Sequence, residues 1–145
     1  MAANLEHDPI DRTLAQRRQH GSDRAARALR DALGCFPTGV AVVTALADDG
    51  SPCGITINSF SSLSLDPPLI LWSLRAGSPL VACFAPGTPF TVNVLGGGQE
   101  WIARQFAAPR PDRFTGIRWH AGPLGVPRLE GAVAWFDCRL TQAQR

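Results

Sequence analysis

Two β-prone runs of opposite character meet at one turn, and that pairing limits the folds open to this chain. Gly39-Val40-Ala41-Val42-Val43-Thr44-Ala45-Leu46-Ala47 is β-branched and almost wholly apolar, the pattern of a strand buried on both faces. Asp48-Asp49-Gly50-Ser51 then turns the chain, and an Asp-Gly pair between two β runs is a strong hairpin signal. The returning strand, from Cys53 to Phe60, opens a stretch reaching Pro68 whose polar members are short: Thr56, Asn58, Ser59, Ser61, Ser62 and Ser64. Such a run is too polar for a buried strand and too β-prone for a disordered linker. An uncharged strand lined with small donors and acceptors suits a flat, polar, uncharged ring system lying against its backbone.

The flanking segments predict how that hairpin is completed. Residues 1–21 read as an arm of mixed charge without a sustained apolar face, and residues 22–145 as the folded domain. Ser22 is the expected N-cap of a helix whose apolar face carries Ala25, Ala26, Leu29, Ala32, Leu33 and Phe36, closed by Gly34 and Pro37. Pro67-Pro68 precedes a third strand, Leu69 to Leu74. Ser78-Pro79 starts a short helix through Phe84, with serine as cap and proline at the first helical position. Pro89 to Leu95 is a fourth strand, ended by three glycines. A helix follows from Gln99 to Ala107, and Leu129 to Leu140 is a long last strand. The order β-β-β-α-β-α-β with short links predicts a mainly β fold, an antiparallel barrel with helices packed outside.

Charge narrows the functional classes. The net charge is +2, and all 14 basic residues are arginines, scattered without a basic stripe or interleaved aromatics, so nothing points to nucleic acid. Between residues 32 and 109 only Asp48, Asp49, Asp66, Arg75, Glu100 and Arg104 carry charge, which marks that middle as core. No apolar run approaches the roughly 20 residues of a membrane-spanning helix, and Met1 to Arg30 lacks a signal-peptide core, so a cytoplasmic protein is expected. Cys35, Cys53, Cys83 and Cys138 form no Cys-x-x-Cys, and no histidine stands at metal-ligand spacing. They read as small hydrophobes in a reducing compartment, with no metal site. His120 reads as an exposed loop histidine, and Trp72, Trp101 and Trp135 as packing residues.

With these residues in place, the chain resembles the flavin reductase family, the short NAD(P)H-dependent components that supply reduced flavin to two-component monooxygenases. The resemblance runs in order through Phe36 to Thr44, Gly54-Ile55-Thr56, Asn58 to Leu71 and Phe90 to Leu95. It continues through Gln99-Glu100, Ala103 to Ala107, Asp112-Arg113-Phe114 and Leu129 to Ala132, covering roughly residues 25 to 140. It implies the FMN-binding split barrel, with FMN or FAD as cofactor and NADH or NADPH as hydride donor. The isoalloxazine ring is expected along Gly54, Ile55, Thr56, Asn58 and Ser59, with Ser61 and Ser62 in the same run. The flavin phosphate is expected near Ser73, Leu74, Arg75 and Ser78. A capped helix start offers free backbone N–H groups, and Arg75 three residues earlier can fork two phosphate oxygens. Asn93, Arg104 and Phe106 are expected to line the far side of the ring. No catalytic acid, base or nucleophile is demanded, because the cofactor carries the chemistry.

The resemblance also implies a homodimer and a flavin-dependent monooxygenase partner that receives reduced flavin by diffusion. Family members usually continue into a hairpin with Gly-Asp-His on the nicotinamide side of the site, and no residue here matches it. The expected barrel therefore lacks its C-terminal strands. That leaves two alternatives to turnover: a non-catalytic flavin-binding or assembly protein, and a truncated reductase.

Overall fold

The computed structural model describes residues 23–144. The chain divides into two compact units, Met1–Pro37 and Thr38–Arg145. In the first, residues 23–34 form helix α1, and Cys35 and Phe36 leave it through turn bonds to Ala32 and Leu33. The arm expected over residues 1–21 and the Ser22 cap lie outside the described residues.

The second unit is built on an antiparallel four-stranded sheet in the order β2-β1-β5-β8. Strand β1 (Ala41–Leu46) lies inside it, between β2 (Pro52–Ile57) and β5 (Pro89–Val94), and β8 (Ala134–Arg139) pairs the far side of β5. The β-branched run thus takes the central position its composition demands. Alternation splits it between two cores. Ala41, Val43 and Ala45 pack with Ile57, Phe90 and Val92, whereas Val42 packs with Ile102, Phe106, Ile117 and Leu129. The second core is covered by α2 (Glu100–Ala107), which enters from a 3₁₀ turn at Gly97–Gln99. Its bulk comes from Ile102 and Phe106, one turn apart on the buried face.

Three expectations are corrected. The hydroxyl-rich stretch does not run on as one strand. It breaks at Asn58-Ser59-Phe60, and β3 (Ser61–Leu65) forms a separate hairpin with β4 (Pro68–Leu71), with a register shift between Ser62 and Ser64. Phe60 leaves the ladder because its ring meets Phe136 at 5.3 Å. The third strand, expected to reach Leu74, stops at Leu71 because Trp72 turns into an aromatic cluster with Phe84 (5.0 Å) and Phe90 (5.8 Å). Leu129 to Leu140 is two strands. β7 (Pro127–Leu129) pairs with β6 (Trp119–Ala121), Gly131 reverses direction at φ 75°, a conformation open to glycine, and β8 follows.

The helix after Ser78 is a 3₁₀ turn, Pro79–Cys83, tighter than an α-helix and capped as expected: the Ser78 hydroxyl accepts from the Leu80 N–H at 3.3 Å. The strands form three separate sheets, so the architecture is an open, split barrel with flanking helices rather than a closed one. Among the described residues no helix is long and apolar enough to cross a membrane.

Candidate functional site

Strand β2 is one edge of the four-stranded sheet, and its outward side is partly covered by the chain itself. Gly54 is buried. A Cβ built on it would stand 2.8 Å from the Phe106 ring, so the glycine exists to let α2 lie against the strand. The Gly54 carbonyl accepts from Arg113 Nη1 at 2.8 Å, and the same guanidinium donates from Nε to Ala108 O at 3.1 Å. Gln105, on α2, fixes that loop by donating to the carbonyls of Arg113 (2.7 Å) and Thr115 (2.8 Å). Two residues along the strand, the Thr56 hydroxyl donates to Ala103 O at 2.7 Å and staples β2 to α2 again. Ile55, between them, is half-buried against the opposite core.

Beyond Ile57 the chain becomes open. Asn58, Ser61 and Ser62 are exposed, and Ser61 makes only a local bond to Ser62 O at 3.2 Å. Ser59 reaches sideways. Its hydroxyl accepts from Ser73 N–H at 2.9 Å and donates to Ser73 O at 3.3 Å. The segment after β2 and the segment after β4 therefore meet, although the sequence offers no signal of it. Ser73 and Arg75 are exposed, Leu74 is half-buried, and the Ser78 N–H donates to Arg75 O at 2.8 Å, closing a turn that leads into the 3₁₀ segment. Ser78 itself is buried, its hydroxyl committed to the cap. Among the described residues Arg75 forms no ion pair.

The three residues expected on the far side of a ring behave differently. Asn93 is 0% exposed. It donates to Val42 O (2.9 Å) and to the Thr44 hydroxyl (3.0 Å) and accepts from Leu129 N–H (2.7 Å), while Thr44 donates to Pro127 O at 2.5 Å. This amide joins β1, β5 and β7 and presents no atom to the surface. Phe106 is also 0% exposed, edge-on to Phe114 at 4.9 Å. Phe106 stands behind β2 at Gly54, whereas Asn93 lies two strands away on β5. Arg104 is on the exposed side of α2, paired with Glu100 one turn earlier at 2.6 Å.

Arg113 lies in the Asp112-Arg113-Phe114 run, where no local pattern signals its bond to Gly54, and a second cluster likewise has no signal in the sequence. Arg128 pairs with Asp137 through Nε–Oδ1 (3.1 Å) and through Nη2–Oδ2. The Thr91 hydroxyl donates to the same carboxylate at 2.9 Å, and the guanidinium lies 5.6 Å from the centre of the Trp135 ring. Gly122 makes room for the pair, since a Cβ there would stand 2.9 Å from Arg128. The Arg128 hydrogen bond holds the Asp137 carboxyl below its ordinary range, Thr91 adds to this, and partial burial opposes it. Burial, with Cys83 alongside, pushes the Cys53 thiol up to about 12, so it is an inert hydrophobe at neutral pH. Among the described residues no group of His, Cys, Asp or Glu gathers to hold a metal.

The candidate site is thus an exposed set of hydroxyl and amide groups following the braced strand β2, with Arg75, unpaired among the described residues, two positions after Ser73. Residues 33–145 match the family described as flavin reductase like domain. The reductase component of the flavin-dependent trigonelline monooxygenase of Acinetobacter baylyi is 45% identical over 116 residues, which are 80% of this chain and 37% of that protein. An FMN reductase (NADH) of Agrobacterium fabrum is 43% identical over 119 residues, 81% of this chain and 67% of that protein. Among solved structures, the NADH:FAD oxidoreductase of Streptomyces globisporus in complex with NAD and FAD fragments superposes with a TM-score of 0.75 at 36% identity. That match covers 99% of this chain and 77% of the other. The chain spans between about a third and two thirds of the length of these curated relatives.

Proposed function

The chain belongs to the flavin reductase family, and from that premise we propose that it binds FMN or FAD, reduces it with NADH or NADPH, and releases it to a partner monooxygenase. The observation that carries this reading is the make-up of the open surface. Asn58, Ser61, Ser62 and Ser73 offer short neutral donors and acceptors, and Arg75, two residues after Ser73, is exposed and forms no ion pair among the described residues. That combination fits a neutral ring system joined to a phosphate, and it fits neither a metal nor a dianionic substrate held by several cations.

A bound flavin would supply the redox chemistry, as the acceptor of a hydride. The chain's own residues bind and orient. The β2 backbone from Gly54 to Thr56 is held from behind by Phe106, Arg113 and the Thr56–Ala103 bond, which keeps the wall from yielding when a ring presses on it. Asn58, Ser59, Ser61 and Ser62 edge that wall. Arg75, with Ser73, Leu74 and the Ser78 turn, holds the phosphate. Gly54 and Phe106 act from beneath, by packing, Asn93 acts at one remove by fixing β1 to β5 and β7, and Arg104 acts from the rim of α2.

We also propose a homodimer, supported by Val133, Trp135 and Phe136, exposed at or beside β8, and by the outer edge of β8, which is unpaired among the described residues. A monomer by light scattering at micromolar concentration overturns it. The activity is tested by anaerobic mixing of the protein and FMN with NADH. Bleaching of the oxidised-flavin band faster than in the protein-free control is the expected result. Bound flavin without bleaching would make the chain a binding module.

A further inference from the structure

We infer that Arg113 is a positioning residue that acts through the Gly54 peptide, its unneutralised charge making the site favour an anionic reduced flavin over the neutral oxidised one. The inference rests on the proposed function and deepens it. Arg113 and Arg128 are the described arginines that are half-buried rather than exposed. Arg128 is neutralised by Asp137, whereas Arg113 forms no ion pair among the described residues. The carboxylate beside it in sequence, Asp112, is already engaged by Arg110 through Nε–Oδ1 and Nη2–Oδ2, both at 2.8 Å. The Arg113 guanidinium donates instead to two backbone carbonyls, Gly54 O at 2.8 Å and Ala108 O at 3.1 Å. Neutral acceptors orient a guanidinium without cancelling its charge, and half-burial limits how far water screens it.

As a mechanical brace Arg113 is redundant. Helix α2 is stapled to β2 by the Thr56–Ala103 bond at 2.7 Å, and Phe106 lies against Gly54. Arg104, on the same helix, is exposed and paired with Glu100. What Arg113 adds to this edge is therefore a positive charge. A ring resting on the Gly54 peptide is in van der Waals contact with it. A charge hydrogen-bonded to that carbonyl then lies roughly 6–8 Å from the ring. Hydride transfer moves two electrons and one proton from NADH or NADPH to the flavin. The neutral oxidised ring becomes an anion, and the nicotinamide ring leaves as the cation. Arg113 attracts the anionic ring and is indifferent to the neutral one, so its charge favours the reduced state of the bound flavin.

The test compares the affinities of the whole chain for oxidised FMN and for dithionite-reduced FMN, titrated anaerobically without nicotinamide. Both forms carry the same phosphate, so the ratio of the two dissociation constants isolates the charge on the ring. Wild type is expected to bind the reduced form more tightly. Arg113→Gln, which keeps a polar side chain and loses the charge, is expected to lower that preference about five- to tenfold. That is the size of one unit charge at this range, reduced by partial exposure. Arg113→Lys keeps the charge and most of the preference. An unchanged ratio in Arg113→Gln, whatever the two affinities do, would leave Arg113 a brace only and overturn the inference. So would a ratio that falls equally far in Arg113→Lys. A wild-type preference for oxidised FMN would overturn it too, and that reading needs no variant to fold. Failure of the wild-type chain to bind either form would remove the proposed function itself, an outcome that appears before any substitution is made. Matching thermal melts of the variants and wild type exclude a general loss of structure.

Discussion

The chain holds two sets of short polar side chains that look alike in sequence and have opposite fates. Thr44, Thr91 and Asn93 are 0% exposed, and every buried side-chain polar atom among the described residues has a partner. Asn58, Ser61, Ser62 and Ser73 are exposed and, apart from local or backbone bonds, uncommitted. The first set sits in the middle of the four-stranded sheet, where an amide with no partner would cost about 1–3 kcal/mol for each stranded group, so geometry leaves it no freedom. The second sits where the main sheet has ended and the β3–β4 hairpin has begun, open to solvent, which can satisfy it. Side-chain type therefore says little here about binding. Position relative to the ladder says nearly all of it.

Substitutions can break or sharpen that contrast. Asn93→Ala should have the largest effect, a loss of about 3–5 kcal/mol in denaturant unfolding, because it strands Leu129 N–H and Val42 O and leaves a cavity. A stable Asn93→Ala protein would show that the buried set is dispensable. Arg75→Ala should do the reverse: FMN affinity is expected to fall about tenfold to a hundredfold, with the unfolding midpoint unchanged within about 0.5 kcal/mol. A fall in stability of the same size would erase the contrast. Gly54→Ala lies between, since its methyl meets the Phe106 ring. We expect about 1–3 kcal/mol of destabilisation in chemical denaturation, with flavin affinity falling as α2 is pushed from the wall.

The smallest effect concerns pH. Asp137 has its carboxyl pKa depressed in the folded chain, so the stability it adds is fully present above the ordinary carboxylate pKa and is lost as pH falls through the lower folded value. Asp137→Asn should therefore unfold about 1–2 kcal/mol more easily than wild type at pH 7. The gap should shrink in acid below pH 4, and a gap that stays constant with pH would show that the pair with Arg128 contributes nothing electrostatic.

The parts of the fold legible in sequence were those decided within a few residues. The Asp49-Gly50 hairpin, the Ser78 cap, strand Pro89–Val94 and helix Glu100–Ala107 all follow from local patterns and appear with shifts of a residue or two. What was illegible depended on partners far along the chain. Nothing around Asn58-Ser59-Phe60 says that the strand ends there, since Phe136 and Ser73 end it. Nothing around Asn93 says that it points inward, because Leu129 supplies its partner. Gly131 was the exception: a left-handed glycine between β7 and β8 was a readable stop that the apolar pattern around it hid. Of the candidate site, the hydroxyl-rich run and Arg75 were visible as composition, whereas the layer behind Gly54, Phe106 and Arg113, is a product of tertiary packing.

That layer has a consequence for colloidal behaviour. A strand at a sheet margin is a template on which another chain can add, and proteins blunt such margins to stay dispersed. At β2, Arg113 occupies the outward carbonyl of Gly54 and α2 lies across Thr56, so the template is already spent on the chain's own atoms. At β8, where Val133, Trp135 and Phe136 are exposed at or beside the strand, the outer margin shows no such stopper among the described residues. In the sheet formed by the described residues, an added strand would therefore find its place at β8 rather than at β2.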